Sequence, residues 1–380
     1  MNREKIFNIF VFLSTLARSL IDCFIPIILY NRGLEVKYII IFLLLNYSLC
    51  FLLNAPLGHI GKKITFKWTM IVTSFSIGIA YYFLLIADLN IISLFLFALF
   101  HAVSTHVYWL SRHYYALEVL PKKELADEVG NIIIFSTLAI IPVSYAGGWF
   151  MNNLSMELVL IIIVFLYAIS VIPLFYIKER KRYVNLGVIE SSIKVLTSMP
   201  IRSFWFMILA QFRMVSRYLF PLFLFIYIKQ DYEYIGIFNI SVGVASMFFV
   251  YFFARRMDRD KKDYLIVSGI LGAVVYLFKA NVTDVGIMLL VGLAEGLIDK
   301  MYDVAFHRNL YALGHQYEGL GYTVAIEGLQ NISRIIITFI FVLIGFDLKT
   351  IIYISAFMLI INGVIGFDDG KGGYKLHYSK

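Results

Sequence analysis

Apolar residues in this chain run almost unbroken for about 20 positions at a time, and short polar breaks separate the runs. A helix rising 1.5 Å per residue needs about 20 such residues to cross a hydrocarbon core about 30 Å thick. The pattern predicts twelve membrane-spanning helices, over 7–30, 38–57, 67–87, 91–114, 130–151, 157–177, 203–228, 234–254, 264–280, 284–306, 321–345 and 348–367. The first run is too long for a signal-peptide core and has no small-residue cleavage site after it, so it reads as a span.

Composition agrees with the pattern: 61% of residues are hydrophobic and 15% charged, and the mean hydropathy is +0.81. A water-soluble fold has nowhere to place so much apolar surface. The net charge of +8 does not point to nucleic acid, because the basic residues sit in short clusters between apolar runs. With both termini inside, the inner segments carry about 22 lysines and arginines against about 5 in the outer loops, which predicts cytoplasmic termini in a plasma (inner) membrane. Cys23 and Cys50 lie inside apolar runs and read as small core residues.

The longest polar stretch, 178–202, opens with Lys178-Glu179-Arg180-Lys181-Arg182. It divides the chain into a six-helix bundle over 1–177 and a second over 203–380 with a short cytoplasmic tail. The halves echo each other. Gly61-Lys62-Lys63 follows the second span, Asp258-Arg259-Asp260-Lys261-Lys262 follows the eighth, and Tyr-Ala-Leu recurs at 115–117 and 311–313. The expected fold is an all-α membrane protein of twelve transmembrane helices in two pseudo-symmetric bundles.

This layout resembles the major facilitator superfamily over nearly the whole chain. The family's loop signature, Gly-x-x-x-Asp-Arg-x-Gly-Arg/Lys-Arg/Lys, is partly kept in Asn54 to Lys63, with Gly61, Lys62 and Lys63 but with Gly58 at the acidic position. The second copy, Ala254 to Asp263, keeps Asp258 and Arg259 and loses both glycines. The resemblance implies an inner gate built from these loops. Pro142 and Gly147-Gly148 in the fifth span resemble, at altered spacing, a motif common in the family's exporters; the plainer reading is a tolerated kink and a helix-packing contact.

Charges inside the spans carry the functional expectation. They are Arg18 and Asp22 in the first, Arg112 in the fourth, Arg213 and Arg217 in the seventh, Glu295, Asp299, Lys300 and Asp303 in the tenth, and Glu327 and Arg334 in the eleventh. Exposing them to lipid at about 3 kcal/mol each would cost on the order of 30 kcal/mol, so they must face one another or water. Spacings of four place Arg18 with Asp22, Arg213 with Arg217, and Glu295 with Asp299 and Asp303 on shared faces. The resemblance implies that spans 1, 4, 7 and 10 line a central cavity, where most of these charges lie.

The candidate substrate-binding or proton-coupling residues are therefore Arg18, Asp22, His101, His106, Arg213, Arg217, Glu295, Asp299, Glu327 and Arg334. The candidate gating residues are Gly61, Lys62, Lys63, Arg112, Asp258, Arg259 and Asp303. A carboxyl among Asp22, Glu295 and Asp299 is expected to carry a coupling proton, and Arg18, Arg213 and Arg217 to meet an anionic or zwitterionic group. Permanent ion pairs are the alternative for every member. The aromatic segment Tyr108 to Tyr115 reads as an interfacial belt, with a stacking site for a flat substrate as the alternative. His101, His106 and His113 lie at offsets that do not unite on one face, so no metal is implied.

The expected function is secondary active transport of a small polar or charged solute by alternating access, proton-coupled and inclined to efflux, by a monomer among membrane lipids. No glycine loop for phosphates, HExxH helix or nucleophile elbow is present, so no cofactor is implied. A membrane-embedded transferase, or a sensor or scramblase on the same fold, are the alternatives.

Overall fold

The computed structural model describes residues 3–119, 125–176, 187–260, 264–345 and 347–368, and no strand occurs among them. The first span is discontinuous: α1 (Arg3–Ser19) gives way to a 3-10 turn at Asp22–Phe24 and then to α2 (Ile25–Asn31). Pro26 explains the break, since its ring clashes with the carbonyl four residues back and its nitrogen donates nothing. Asp22 supplies that carbonyl and sits at the unwound point. The remaining first-half helices are α3 (Val36–Ile64), α4 (Phe66–Leu85), α5 (Ile91–Val119), α6 (Leu125–Asn153) and α7 (Met156–Ser170).

A short amphipathic helix, α8 (Val188–Ser198), follows within the segment expected to be a plain linker. It docks on the second half, with Ser191 accepting the close approach of Gly321 and donating to Glu318 Oε2 at 3.0 Å. The basic run Lys178 to Arg182 lies outside the described residues. The second half comprises α9 (Ile201–Tyr227), α10 (Tyr232–Asp260), α11 (Tyr264–Asn281), α12 (Val285–Gly314), α13 (Gly319–Ile344) and α14 (Leu348–Ile365).

Among the described residues, eleven helices are long and apolar enough to cross a membrane. The helix missing from that set is α12, thirty residues long, where Glu295, Asp299, Lys300 and Asp303 depress the hydropathy although all four side chains are buried or nearly so. Its length and its packing on α10 and α11 match those of the apolar helices beside it.

The packing shows the two-fold repeat directly. In the first half α3 packs on α5, α4 on α5 and α7, and α1 on α6 and α7. The second half repeats each pairing with α10 on α12, α11 on α12 and α14, and α9 on α13 and α14. Across the halves α6 lies along α10 and α3 along α13, so the fifth helix of each bundle meets the second helix of the other.

Four of the helices that begin at the end opposite the chain termini, α5, α10, α12 and α14, are capped by short polar side chains. Asn90 accepts from Ser93 N at 2.9 Å, Asp231 from Glu233 N at 2.9 Å, Asp284 from Ile287 N at 2.8 Å and Asp347 from Thr350 N at 2.7 Å. Each cap satisfies a first-turn amide that has no partner within its helix. The hydrogen bonds from Thr350 hold the Asp347 carboxyl below the usual carboxylate range. Because the folded value is depressed, this contribution is present above the unfolded value of about 4 and fades as pH falls through the folded one. Asp347→Ala is expected to cost about 1 kcal/mol near neutral pH and less in acid, which thermal unfolding at two pH values would show.

Two local expectations change. Gly61, Lys62 and Lys63 form the last turn of α3 instead of a loop. Cations there suit the negative end of the helix dipole, and Thr65 alone, at φ +77°, turns the chain into α4. Asp258 and Arg259 likewise extend α10, and their side chains lie outside the described residues.

Candidate functional site

The intramembrane charges fall into separate groups. In the second half, Arg213 reaches Asp299 Oδ1 at 3.0 Å through Nη1 and bonds Asp303 through Nη2, while its guanidinium stacks 4.3 Å from the Tyr302 ring centre. Arg217, one turn along α9, lies 3.7 Å from Asp299 and 3.6 Å from Asp303. Lys300 completes the set at 3.1 Å from Asp303. Thus the spacing-of-four faces on α9 and α12 do meet, and Lys300 joins them through Asp303. Three cations against two carboxylates leave one positive charge in excess, and Arg217, with its side chain 36% exposed, is the least enclosed member.

Glu295 leaves this stripe and pairs with Lys279 of α11 at 2.6 Å. The Lys279 side chain is 1% exposed and packs over Phe220 at 3.5 Å and Tyr276 at 4.6 Å. Sequence reasoning missed this lysine. Its one signal was a charge inside the predicted span 264–280, near an end where a lysine reads as snorkelling.

In the first half, Arg18 and Asp22 do not share a helical face, because the helix breaks between them. Among the described residues no ion pair within 4.0 Å joins them. Arg18 donates to Ser104 O at 3.3 Å and lies 4.1 Å from the Tyr108 ring centre, while Asp22 accepts from the Tyr81 hydroxyl. His101 stays within this half, 3.2 Å from Asn46 Nδ2. Asp22, Arg217 and Glu295 therefore belong to three different clusters.

Two groups bridge the halves. Arg334 of α13 donates to Gln211 Oε1 at 2.8 Å and Gln330 Oε1 at 3.1 Å, and faces the Tyr47 ring at 5.6 Å. Its partners are neutral; among the described residues no carboxylate lies within 4.0 Å of it. Farther along α13, toward the end carrying the termini, buried Glu327 lies 3.3 Å from His113 and 4.0 Å from His106, both on α5. His113 also meets the Tyr311 hydroxyl at 3.0 Å, and its ring stacks on His307 at 6.1 Å. With Gly58 against Val324 and Gly314 against Leu117, these contacts close the bundle at that end.

The aromatic segment from Tyr108 to Tyr115 is not an interfacial belt. Tyr108, Leu110, His113 and Tyr115 are buried between helices, where Phe10 and Phe7 pack on the two tyrosines at 6.2 and 5.7 Å. Arg112 sits 4.9 Å over the Trp109 ring, with Nη1 3.4 Å from the Tyr108 hydroxyl. Gly147 and Gly148 are packing positions: a Cβ on either would strike the backbone carbonyl of Leu20 or Tyr232.

Two six-helix bundles related by a repeat, a discontinuous first helix and buried charge at the seam are the architecture of a polytopic membrane transporter. The chain belongs to the Major Facilitator Superfamily, whose family model matches residues 7–338. Its fold is similar to that of the human organic anion transporter MFSD10 (TETRAN), with TM-score 0.69 and 12% identity over 95% of this chain and 98% of the other. It is also similar to the E. coli fucose:proton symporter FucP. One FucP structure gives TM-score 0.65 and 15% identity over 95% and 97% of the two chains; another, in the outward conformation, gives 0.67 and 14% over 96% and 98%. No curated protein sequence matches the chain.

Proposed function

We propose that the protein is a proton-coupled carrier of a small anionic solute, working by alternating access between the bundles 1–177 and 203–380. The observation that carries this reading is Arg334: a guanidinium near the middle of a spanning helix, at the seam, held by amide oxygens and a tyrosine ring with no carboxylate partner among the described residues. A cation kept there with neutral partners fits a carboxylate, sulfonate or phosphate ester that arrives with the charge. Arg217 adds a second, half-exposed cation on α9. Arg213 is the poorest candidate for solute contact, since both its carboxylates are already in place. The basic clusters favour cytoplasmic termini, and the exposed apolar rim suits a monomer in lipid. The packing role of Gly147 and Gly148 lends no direction to transport.

Flux into proteoliposomes tests this with radiolabelled mono- and dicarboxylates and phosphate monoesters, each beside its uncharged amide or alcohol. Anions are expected to accumulate under an inward proton gradient and to stop when a protonophore is added. Arg334→Gln should lower anion flux about 10- to 100-fold, the worth of one charge-assisted hydrogen bond. Equal flux of charged and uncharged probes would sink the reading.

A further inference from the structure

Glu327 differs from the other buried acids of the bundle. Asp299 and Asp303 are matched by Arg213, Arg217 and Lys300, and Glu295 by Lys279. The half-buried Asp22 takes the Tyr81 hydroxyl. Glu327 is 4% exposed, and among the described residues its ionisable partners within 4.0 Å are histidines.

The proton positions follow from the hydrogen-bond network. The Val324 carbonyl can only accept, so the Asn54 group 2.7 Å from it is the amide NH2, and Asn54 Oδ1 faces His106 Nε2 at 3.0 Å. That oxygen can only accept as well, so His106 Nε2 carries a hydrogen. In a neutral ring, Nδ1 then turns a lone pair toward the Glu327 carboxylate. On the other side, His113 Nε2 faces Glu327 Oε1 at 3.3 Å; an ionised carboxylate can only accept, so Nε2 carries the hydrogen there, and Nδ1 of the neutral ring then takes the hydrogen of the Tyr311 hydroxyl at 3.0 Å. With both rings neutral and the carboxylate ionised, a bare negative charge would be buried among neutral partners, which is costly. One added proton, on the carboxyl or on a ring nitrogen, makes the cluster neutral.

The surrounding groups do not supply the missing charge. On α5, Arg112 is stacked on Trp109. Tyr311 and His307 on α12 contact His113. On α3, Cys50 points its thiol at Ala102 O. Arg334, farther along α13, is held by Gln211 of α9 and by Gln330, and Ser191 represents α8 against α13. Arg213 and Arg217 of α9 are engaged by Asp299 and Asp303.

The cluster joins α3 and α5 of one half to α12 and α13 of the other, at the end where the bundle is closed. We infer that His106, Glu327 and His113 form the coupling-proton site and, by the same contacts, the latch of the gate at that end. Loaded with one proton, the cluster is neutral and holds the halves together. When the bundles part there, the histidines leave the carboxylate, water reaches it, and the N–H or O–H bond breaks to give the proton to water on the cytoplasmic side. The inference rests on the alternating-access reading and adds the site and the direction of proton movement.

The test needs no solute. Infrared pH-difference spectra of the full-length protein in lipid nanodiscs should show a titrating carboxylic-acid carbonyl band that Glu327→Gln removes and Asp299→Asn leaves. Spin labels at Lys63→Cys and Gln316→Cys, with Cys23→Ala and Cys50→Ala, should report halves that separate as pH rises. Glu327→Gln should stay closed at every pH, because the amide mimics the protonated acid. His113→Gln should shift the wild-type midpoint by about one pH unit, a second readout if Glu327→Gln does not fold. A band that survives Glu327→Gln, or a midpoint that neither substitution moves, overturns the site. Loss of anion flux in the wild type with the band intact instead overturns the carrier reading and leaves the proton site.

Discussion

Arg213→Met is expected to destabilise the protein by about 3–5 kcal/mol, the usual cost of removing one partner from a buried ion pair. The substitution preserves most of the apolar stem, so the loss is one of charge and hydrogen bonding. It leaves Asp299 with Arg217 at 3.7 Å and Asp303 with Lys300 at 3.1 Å, neither in the forked geometry that Arg213 provides. Arg213→Lys should fall between, since a single ammonium cannot serve both carboxylates as a planar fork does. Arg213→Met combined with Asp303→Asn should regain part of the loss, because the second change removes a charge that the first left stranded. Thermal unfolding in detergent compares the four proteins. A single variant as stable as the wild type would mean that water, and not Arg213, solvates the two acids.

That network shows how far the sequence could be read. Spacings of four on α9 and α12 were enough to put Arg213 with Arg217 and Asp299 with Asp303, because a helix fixes which of its own residues share a face. Spacing says nothing about which other helix that face meets. Lys279 and Glu295 are only 16 positions apart yet lie on different helices, so no periodic pattern links them. Glu327 and the two histidines lie over 200 positions apart, in opposite halves, and are joined only because α13 packs against α5. The same limit applied to Arg18 and Asp22 in reverse: the periodicity was sound for an unbroken helix, and Pro26 made it inapplicable. Hydropathy found eleven spans readily and was weakest at α12, where the charges that draw functional attention also dilute the apolar signal.

The polar clusters therefore divide by the seam. Those within one half, around Arg213 and around Lys279, keep their partners if the bundles move, and apart from the part-exposed Arg217 they suit a static role. Across the seam, Glu327 faces His106 and His113 of the other half and Arg334 faces the Tyr47 ring. On the proposed alternating-access reading these contacts change when the bundles part, while the amide partners of Arg334 stay in its own half.

The seam between α6 and α10 carries the other large expected effect. Gly148 of α6 faces the Tyr232 carbonyl, and Gly236 of α10 faces the Ser144 carbonyl, so each helix offers its glycine to the other's backbone. A methyl at either position meets peptide atoms that cannot rotate aside, unlike a flexible side-chain end. Gly148→Ala and Gly236→Ala are each expected to cost at least the 1–3 kcal/mol typical of overpacking, and to push the two helices apart. Gly319→Ala is the matched control. A Cβ there meets nothing within 4 Å, so a change within about 0.5 kcal/mol is expected. Because α6 and α10 belong to opposite halves, the two seam variants should also lose flux in proteoliposomes, whereas the control should not. A Cys pair at Asn152 and Asp231, whose side chains now hydrogen-bond at 3.1 Å, reports the spacing. Disulfide formation between them should fall in Gly148→Ala and Gly236→Ala. If stability, flux and cross-linking all stayed at wild-type levels, the close approach of α6 to α10 would be refuted, and with it the idea that this seam sets the separation about which the bundles rock.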